Sequence, residues 1–374
     1  MRVALGTTTI EPSYNGGRFD GIGVYTRALL DHLGGAGCDI RPVSWPGWRG
    51  ARPGGAVGQA LPTSFEAASL ADLLHPGGTR VRVDADLFHA PDYRIVRMDC
   101  PVVATLHDAL PIKYPHWCNP RLRRAKNWLQ QKATRKADHV IALSQFAVDE
   151  LVACFGVDAR RVSVVPCGVG AAWFDDCAPC EVAATLARHG LRPGYFLSVG
   201  TLQPRKNFGA LLDAWLALPA TVRAARQLVI VGARGWRCEE LVARLHAARA
   251  DGHSILWLDR LTAPQALRHV YRGAGAFVFP SLYEGFGLPV LEAFASGVPV
   301  VCSNRSALPE VCGGAALEVD ASDTGAIGDA MLALVREAPL RKACIAAGLL
   351  RARQLSWHAT AQHTAAVYRA VLAH

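Results

Sequence analysis

The sequence predicts an α/β protein built from two doubly wound parallel sheets. Three observations predict it. Short apolar strands alternate with helical stretches from the first residues onward, the pattern of strand–helix–strand units. The alternation stops between Trp173 and Arg192, where Asp175-Asp-Cys-Ala-Pro179 interrupts it, and then restarts. The chain has 374 residues, more than one hydrophobic core accommodates. The expected division is residues 1–177 for a first domain and 192–357 for a second, with a hinge in the interruption.

In the first half the apolar runs Val3–Gly6, Leu87–His89, Val102–Leu106, Val140–Leu143 and Val162–Val165 read as buried strands. A helix is expected from about Val24 to Leu33. Residues Pro46–Arg80 are rich in Pro and Gly, with one helical pattern at Phe65–Leu74, and read as a surface excursion. Arg121–Ala137 and Phe146–Phe155 read as helices. In the second half Tyr195–Val199, Gln227–Val231, Ser254–Leu258, Ala276–Phe279 and Val298–Cys302 read as strands. Helices are expected near Phe208–Leu218, Glu239–Ala250, Pro264–Tyr271 and Pro289–Ser296. Ligands of such sheets bind at the carboxyl ends of the strands, so two sheets facing one another would put the site in a cleft.

Composition narrows the function. Half of the chain is hydrophobic (51%) and 19% is charged, as in globular proteins. No run of about eighteen apolar residues occurs, so no membrane span is expected, and the first residues read as a strand and not as a signal peptide. Eleven cysteines, odd in number and scattered, fit a cytosolic protein with reduced thiols. Cys177-Ala-Pro-Cys180 has redox spacing but no second pair answers it. Asp84-Ala-Asp86 leads straight into a strand and reads as a turn; no His, Cys or carboxylate cluster has metal spacing. The net charge of +9 is concentrated in Arg121, Arg123, Arg124, Lys126, Lys132, Arg135 and Lys136, a stretch without an acidic residue. A solvated helix with one face in the core accounts for it, as does a helix meeting an anionic membrane or a lipid-linked phosphate. No nucleic-acid motif or aromatic-rich basic groove is present.

The informative pair is Glu284 and Glu292, eight residues apart in Ser281-Leu-Tyr-Glu-Gly-Phe-Gly-Leu-Pro-Val-Leu-Glu292. An apolar strand precedes them, and Pro289 opens a helix that Gly297 ends. Glycines there bare backbone amides at a helix N-terminus, where phosphate binds well. Two carboxylates would repel a phosphate unless they accept hydrogen bonds from hydroxyls of the same ligand. A nucleotide sugar carries both groups. In Gly200-Thr-Leu-Gln-Pro-Arg-Lys-Asn207, Arg205 and Lys206 follow a strand and precede a helix, a place for cations that neutralise a diphosphate. His107 and Asp108 end the strand from Val102. Gly21-Ile-Gly23 precedes the first helix, and reads as a loop approaching phosphate or sugar or as a flexible turn. It lacks the third glycine of a dinucleotide fingerprint, which argues against a nicotinamide or flavin oxidoreductase.

Together these segments, in order along nearly the whole chain, resemble the retaining glycosyltransferases that share the Glu-x7-Glu motif (family 4, GT-B fold). The matching segments include Gly21–Tyr25, Leu106–Asp108, Ser144–Ala147, Val164–Val169, Val199–Asn207, Glu284–Glu292, Ser303–Val311 and Ser356-Trp357. The nearest likeness is to bacterial mannosyltransferases of surface polysaccharides that use GDP-mannose. The resemblance implies two Rossmann-like domains, with residues 358–374 as a helix crossing back to the first. It implies that His107 touches the donor sugar, that Arg205 and Lys206 hold the diphosphate, and that Glu284 binds sugar hydroxyls. Glu292 would bind the ribose, the amides of Phe286, Gly287 and Leu288 would complete the cradle, and Gly21, Gly23 and Thr201 would line the donor. Arg260 and Leu261 would lie near the base. Arg121, Arg123, Arg124 and Lys126 would serve a polyprenyl-diphosphate-linked glycan acceptor or the inner face of the membrane. Transfer would retain configuration by a front-face route, with no protein nucleophile, no metal and no cofactor, and closure of the domains would bring His107 to Glu284.

Two departures stand out. Many relatives carry Arg directly after the phosphate-loop glycine, where this chain has Thr201, so Arg205 is expected to substitute. Cys167 replaces a common asparagine before Gly168. A nucleotide-sugar epimerase, a transferase using a UDP- or ADP-sugar and a non-catalytic sugar-nucleotide-binding scaffold are the alternatives.

Overall fold

The computed structural model describes residues 1–16, 19–46, 56–74, 80–118, 123–261 and 263–373. They form two compact units. The first comprises Met1–Pro115, Pro120–Gly168 and Trp357–His374, the second His116–Asn119 and Val169–Ser356.

The first unit holds a seven-stranded sheet of β1 (Arg2–Gly6), β2 (Asp39–Ser44), β3 (Gln59–Ala60), β4 (Leu87–Ala90), β5 (Val102–Leu106), β6 (His139–Ala142) and β7 (Val162–Val164), in the order β3-β2-β1-β4-β5-β6-β7. Every pairing is parallel. The central strands are buried on both faces, which is why they appear as unbroken apolar runs. The second unit holds a six-stranded parallel sheet: β8 (Tyr195–Val199), β9 (Leu228–Val231), β10 (Ile255–Leu258), β11 (Ala274–Phe279), β12 (Val300–Ser303) and β13 (Leu317–Val319), in the order β10-β9-β8-β11-β12-β13.

Strand order fixes where ligands can go. In each sheet the connections reverse direction once, beside β1 and β4 in the first and beside β8 and β11 in the second. At such a reversal the loops diverge and leave a crevice at the carboxyl ends of the strands. The loops after β8 and β11 are the ones that carry Arg205, Lys206 and Glu284.

The structure departs from the sequence reading in several places, and β3 and β13 are strands that the sequence does not predict. β2 was not foreseen, because Asp39-Ile-Arg-Pro-Val-Ser44 mixes charge with a proline; only Val43 and Ser44 are fully buried, and β3 reaches only those two residues. The chain leaves the first unit between Gly168 and Val169, ahead of the expected hinge. Residues 173–192 belong to the second unit and contain a helix, Pro179–Arg188, that buries Thr185 and Leu186 and packs on helix Pro264–Gly273. Thr185 Oγ1 lies 2.8 Å from His269 Nδ1, and Arg272 donates to the carbonyls of Trp173 and Asp175, at 3.2 Å and 2.5 Å. The aspartates masked an amphipathic helix behind them. Finally, Gly21 and Gly23 do not precede the helix expected from Val24: they form its opening turn, in Gly21–His32.

The last helix, Trp357–Leu372, packs on Gly21–His32 within the first unit. Its Tyr368 hydroxyl lies 2.6 Å from His89 Nδ1, and Thr360 donates to the Pro166 carbonyl at 2.8 Å.

Candidate active site

In the second unit β11 delivers the chain to Ser281, and the next residues turn sharply into helix Leu288–Ala295. Glu284 sits in that turn, 7% exposed. Its Oε2 is 2.8 Å from Arg205 Nη1 and its Oε1 is 2.7 Å from Lys206 Nζ. Burial pushes the Glu284 carboxyl up, but the charges of Arg205 and Lys206 outweigh it and hold the group at about 2. One carboxylate therefore fixes two cations at the carboxyl end of β8. Arg205 also donates to the Tyr283 carbonyl at 3.0 Å, and Lys206 Nζ stands 4.6 Å from the Phe279 ring centre.

The turn is held by parts that the sequence did not single out. Ser306 accepts the Glu284 amide at 3.0 Å and itself has a left-handed φ of 58°. Tyr271, fully buried, donates to Glu292 Oε2 at 3.0 Å. Asn207, also left-handed with φ 57°, donates to the Ala321 carbonyl at 2.7 Å. These residues come from separate elements, so no local spacing links them to Glu284. Two glycines are dictated by geometry. Gly287 caps the helix with φ +118°, and a Cβ on Gly232 would lie 2.0 Å from the Gly200 carbonyl oxygen.

Helix Leu288–Ala295 has no side-chain cap. Among the described residues no protein acceptor takes the amides of Phe286, Gly287 or Leu288. Those amides and the helix dipole leave a place for an anion beside two fixed cations. Glu292, on the same helix, is raised to about 7: burial pushes it up, and the Tyr271 hydrogen bond and the Lys206 charge only partly offset that. Thr201 follows Gly200 and is exposed. Arg260 and Leu261 follow β10, two strands from β8. The Arg260 side chain is 88% exposed and its nearest acid is Asp259 at 3.8 Å.

In the first unit His107 follows β5 and is partly buried. Its Nε2 donates to the Pro91 carbonyl at 2.8 Å, and the Tyr25 ring meets it edge-on at 5.2 Å. Burial lowers its pKa more than the Pro91 bond and Asp108 raise it. The imidazole is thus neutral near pH 7, with Nδ1 as its acceptor. Asp108 accepts the Leu110 amide at 3.1 Å, the work of a loop-holding residue. Gly21 is exposed, whereas the Gly23 amide is taken by Asp20 at 2.9 Å. Gly23 therefore has no amide to spare for a ligand.

The basic helix spans Arg123–Thr134. Arg121 lies outside the described residues, as do the side chains of Arg123 and Lys126. Arg124, Trp128 and Leu129 are exposed, the latter two at 46% and 42%. On the same helix Ala133 packs on the core and Thr134 is buried. Asp84 and Asp86 both pair with Arg2, at 2.7 Å and 2.9 Å. Among the described residues no helix is long and apolar enough to cross a membrane, and no cluster of three metal-ligating side chains occurs.

Two parallel α/β sheets, and a cation-carboxylate cluster at the strand-order reversal of the second, are the parts of a sugar transferase with the GT-B fold. Comparisons with known proteins agree. Residues 19–172 match Glycosyltransferase Family 4, and residues 187–351 match Glycosyl transferases group 1. The O-antigen chain mannosyltransferase B of Escherichia coli is 32% identical over 287 residues, which cover 76% of this chain and 74% of that protein. The serotype-specific mannosyltransferase WbdA of Escherichia coli is 30% identical over 215 residues, 56% of this chain but 26% of that longer protein. Among solved structures, a sucrose-phosphate synthase from Thermosynechococcus elongatus covers 100% of the chain with a TM-score of 0.77 at 19% identity, a likeness of fold. The chain belongs to the family 4, group 1 glycosyltransferases.

Proposed function

We propose that this enzyme transfers mannose from GDP-mannose, with retention, to a glycan or a lipid-linked oligosaccharide of a bacterial surface polysaccharide. The observation that carries the reading is the convergence of Arg205 and Lys206 on Glu284 beside an uncapped helix N-terminus. Arg205, Lys206 and the amides of Phe286, Gly287 and Leu288 would take the diphosphate and stabilise its charge as it leaves. Glu284, held ionised, would accept hydroxyls of the transferred sugar. Glu292 would accept ribose hydroxyls, and neutral His107 would accept a sugar hydroxyl at Nδ1. With the leaving diphosphate taking the acceptor's proton, no side-chain nucleophile is required. The charge neutralisation is supplied by protein groups, so neither metal nor cofactor is needed in this scheme. The mannose assignment is supported by the mannosyltransferase relatives. The exposed Trp128 and Leu129 beside cationic Arg124 support peripheral contact of the acceptor side with an anionic membrane.

The test is a metal-free donor screen with GDP-mannose, UDP-glucose, UDP-N-acetylglucosamine and ADP-glucose, read by thermal shift and by nucleotide release. Stabilisation and slow hydrolysis of GDP-mannose alone, insensitive to chelator and lost in Glu284→Ala, is the expected outcome. Stabilisation by a different donor overturns the mannose assignment. Binding without release in the presence of chelator, restored by a divalent cation, overturns the metal-free scheme.

A further inference from the structure

A second polar cavity lies in the first unit, at the other end of its sheet from His107. It has a volume of about 440 Å³ and is walled by the starts of β5 and β6, through Val102 and Asp138, together with Arg80, Arg97, Arg135, Lys136 and Arg161. His107 follows the carboxyl end of β5. Five residues of extended chain separate the two ends, or about 16 Å, so the cavity is not part of the crevice that holds His107.

Its charges are unevenly matched. Lys136 and Arg97 share one carboxylate, the buried Asp72, with Arg97 Nε at 3.6 Å. Arg161 donates to two backbone carbonyls, those of Ala137 and Asp138, and so keeps its full charge. Arg80 and Arg135 make no ion pair or side-chain hydrogen bond among the described residues. The two acids of the wall are occupied by backbone amides: Asp138 Oδ2 accepts from Val102 at 2.7 Å and Asp99 Oδ1 from Val83 at 3.1 Å. Five cations thus face one concavity against three carboxylates, Asp72, Asp99 and Asp138, an excess of two positive charges. Like charges gathered this closely repel one another unless an anion joins them.

We propose that this cavity is a binding site for a phosphate-bearing anion, of the diphosphate class, separate from the donor site. The volume accommodates a diphosphate with its water. The guanidiniums of Arg80 and Arg135 can each take two phosphate oxygens, and Lys136 adds a point charge. The anion comes from solution as a free phosphate or from the headgroup of an anionic lipid; the recognition chemistry is the same.

The test uses the full chain carrying Lys206→Ala, so that the donor site does not compete. Inorganic pyrophosphate is titrated by calorimetry into this protein and into the same protein with Arg80→Glu and Arg135→Glu. Both are also sedimented with phosphatidylglycerol and with phosphatidylcholine vesicles. The expected result is saturable pyrophosphate binding weakened at least about tenfold by the two glutamates, with an unchanged melting temperature. Sedimentation with phosphatidylglycerol alone, lost in the double variant, assigns the phosphate to a lipid; pyrophosphate binding without sedimentation assigns it to solution. Pyrophosphate affinity and sedimentation both indifferent to the glutamates overturn the proposal. Arg80→Lys with Arg135→Lys, which keeps the charge but removes the forks, is expected to bind pyrophosphate more tightly than the glutamate variant and less tightly than the parent, and guards against a folding defect.

Discussion

The two sheets present their functional groups in opposite electrical states. In the second unit Glu284 is a buried anion held at about 2 by two cations. In the first unit His107 is kept neutral by burial and pinned by a carbonyl. Behind it lies an uncharged chain: Tyr368 to His89 at 2.6 Å, His89 to Thr105 at 2.8 Å, and Thr105 to Tyr25 at 2.9 Å. His89 is lowered to about 3 by burial, with His107 adding to the effect, so this chain carries no charge near neutral pH. The same strand-order reversal thus supports two chemistries. One unit organises formal charge, and the other organises neutral hydrogen bonds.

Removing charge in the second unit is expected to do more damage than removing the neutral ring in the first. Lys206→Ala leaves Glu284 with one cation and, in the proposed scheme, removes a donor to the leaving group. Its kcat/KM should fall by about 10²–10³-fold. In the proposed scheme His107→Ala removes a hydrogen bond to the sugar, and it should cost about ten- to a hundredfold. Steady-state nucleotide release on the two variants checks the ranking. Equal losses, or a greater loss at His107, would mean that charge neutralisation does not dominate.

Much of this contrast was legible in the sequence. Strand β11, Pro289 and the Glu-x7-Glu spacing put both carboxylates at a strand–helix turn, and β8 put Arg205 and Lys206 at a strand's carboxyl end. Their meeting on Glu284 was not legible, because it depends on β8 and β11 being neighbours although β9 and β10 intervene in sequence. Tyr271 and Ser306 escaped for the same reason: a tyrosine in helix Pro264–Gly273 carries no local sign that it faces a carboxylate. In the first unit Val102–His107 announced a buried strand end. The partners of His89 did not show themselves, since Tyr368 is 279 residues away. The start of the helix behind Gly23 was not legible either: Asp20 caps it, so that it opens at Gly21.

The two glutamates of the motif offer a subtler test, because their protonation responds to opposite forces. Glu284 is depressed to about 2 from an unfolded 4.5, so the unfolded chain binds the proton more tightly. Its contribution, roughly 3 kcal/mol, is present above pH 4.5 and is lost as pH falls toward 2. Glu292 is raised to about 7, so the folded chain binds the proton more tightly. Its contribution is present below pH 4.5 and is lost as pH rises through 7. If ionised Glu292 accepts the ribose hydroxyls as proposed, donor KM should rise severalfold as pH falls from 8 to 6. Glu292→Gln should flatten that profile while leaving acid unfolding near pH 3 governed by Glu284. A KM profile that keeps its slope in Glu292→Gln would locate the titrating group elsewhere, and denaturant unfolding at pH 3 and pH 6 would isolate the Glu284 share.

The smallest effect is expected at Arg260, and it bears on how far the charged crevice extends. Arg205 and Lys206 are held by a buried partner, whereas Arg260 is 88% exposed and stands 3.8 Å from an acid that is itself half exposed. A pair so wetted contributes from nothing to about 1 kcal/mol, and its long side chain must be ordered before it can touch a base. Arg260→Ala should therefore change donor affinity by less than about threefold, measured by titration of the nucleotide alone and of the complete donor. A tenfold loss confined to one base would extend the ordered site along the sheet to β10 and make that residue a reader of the nucleotide. A loss equal for all bases would instead mean that Arg260 supports the phosphate from a distance, as a third cation without a fixed partner.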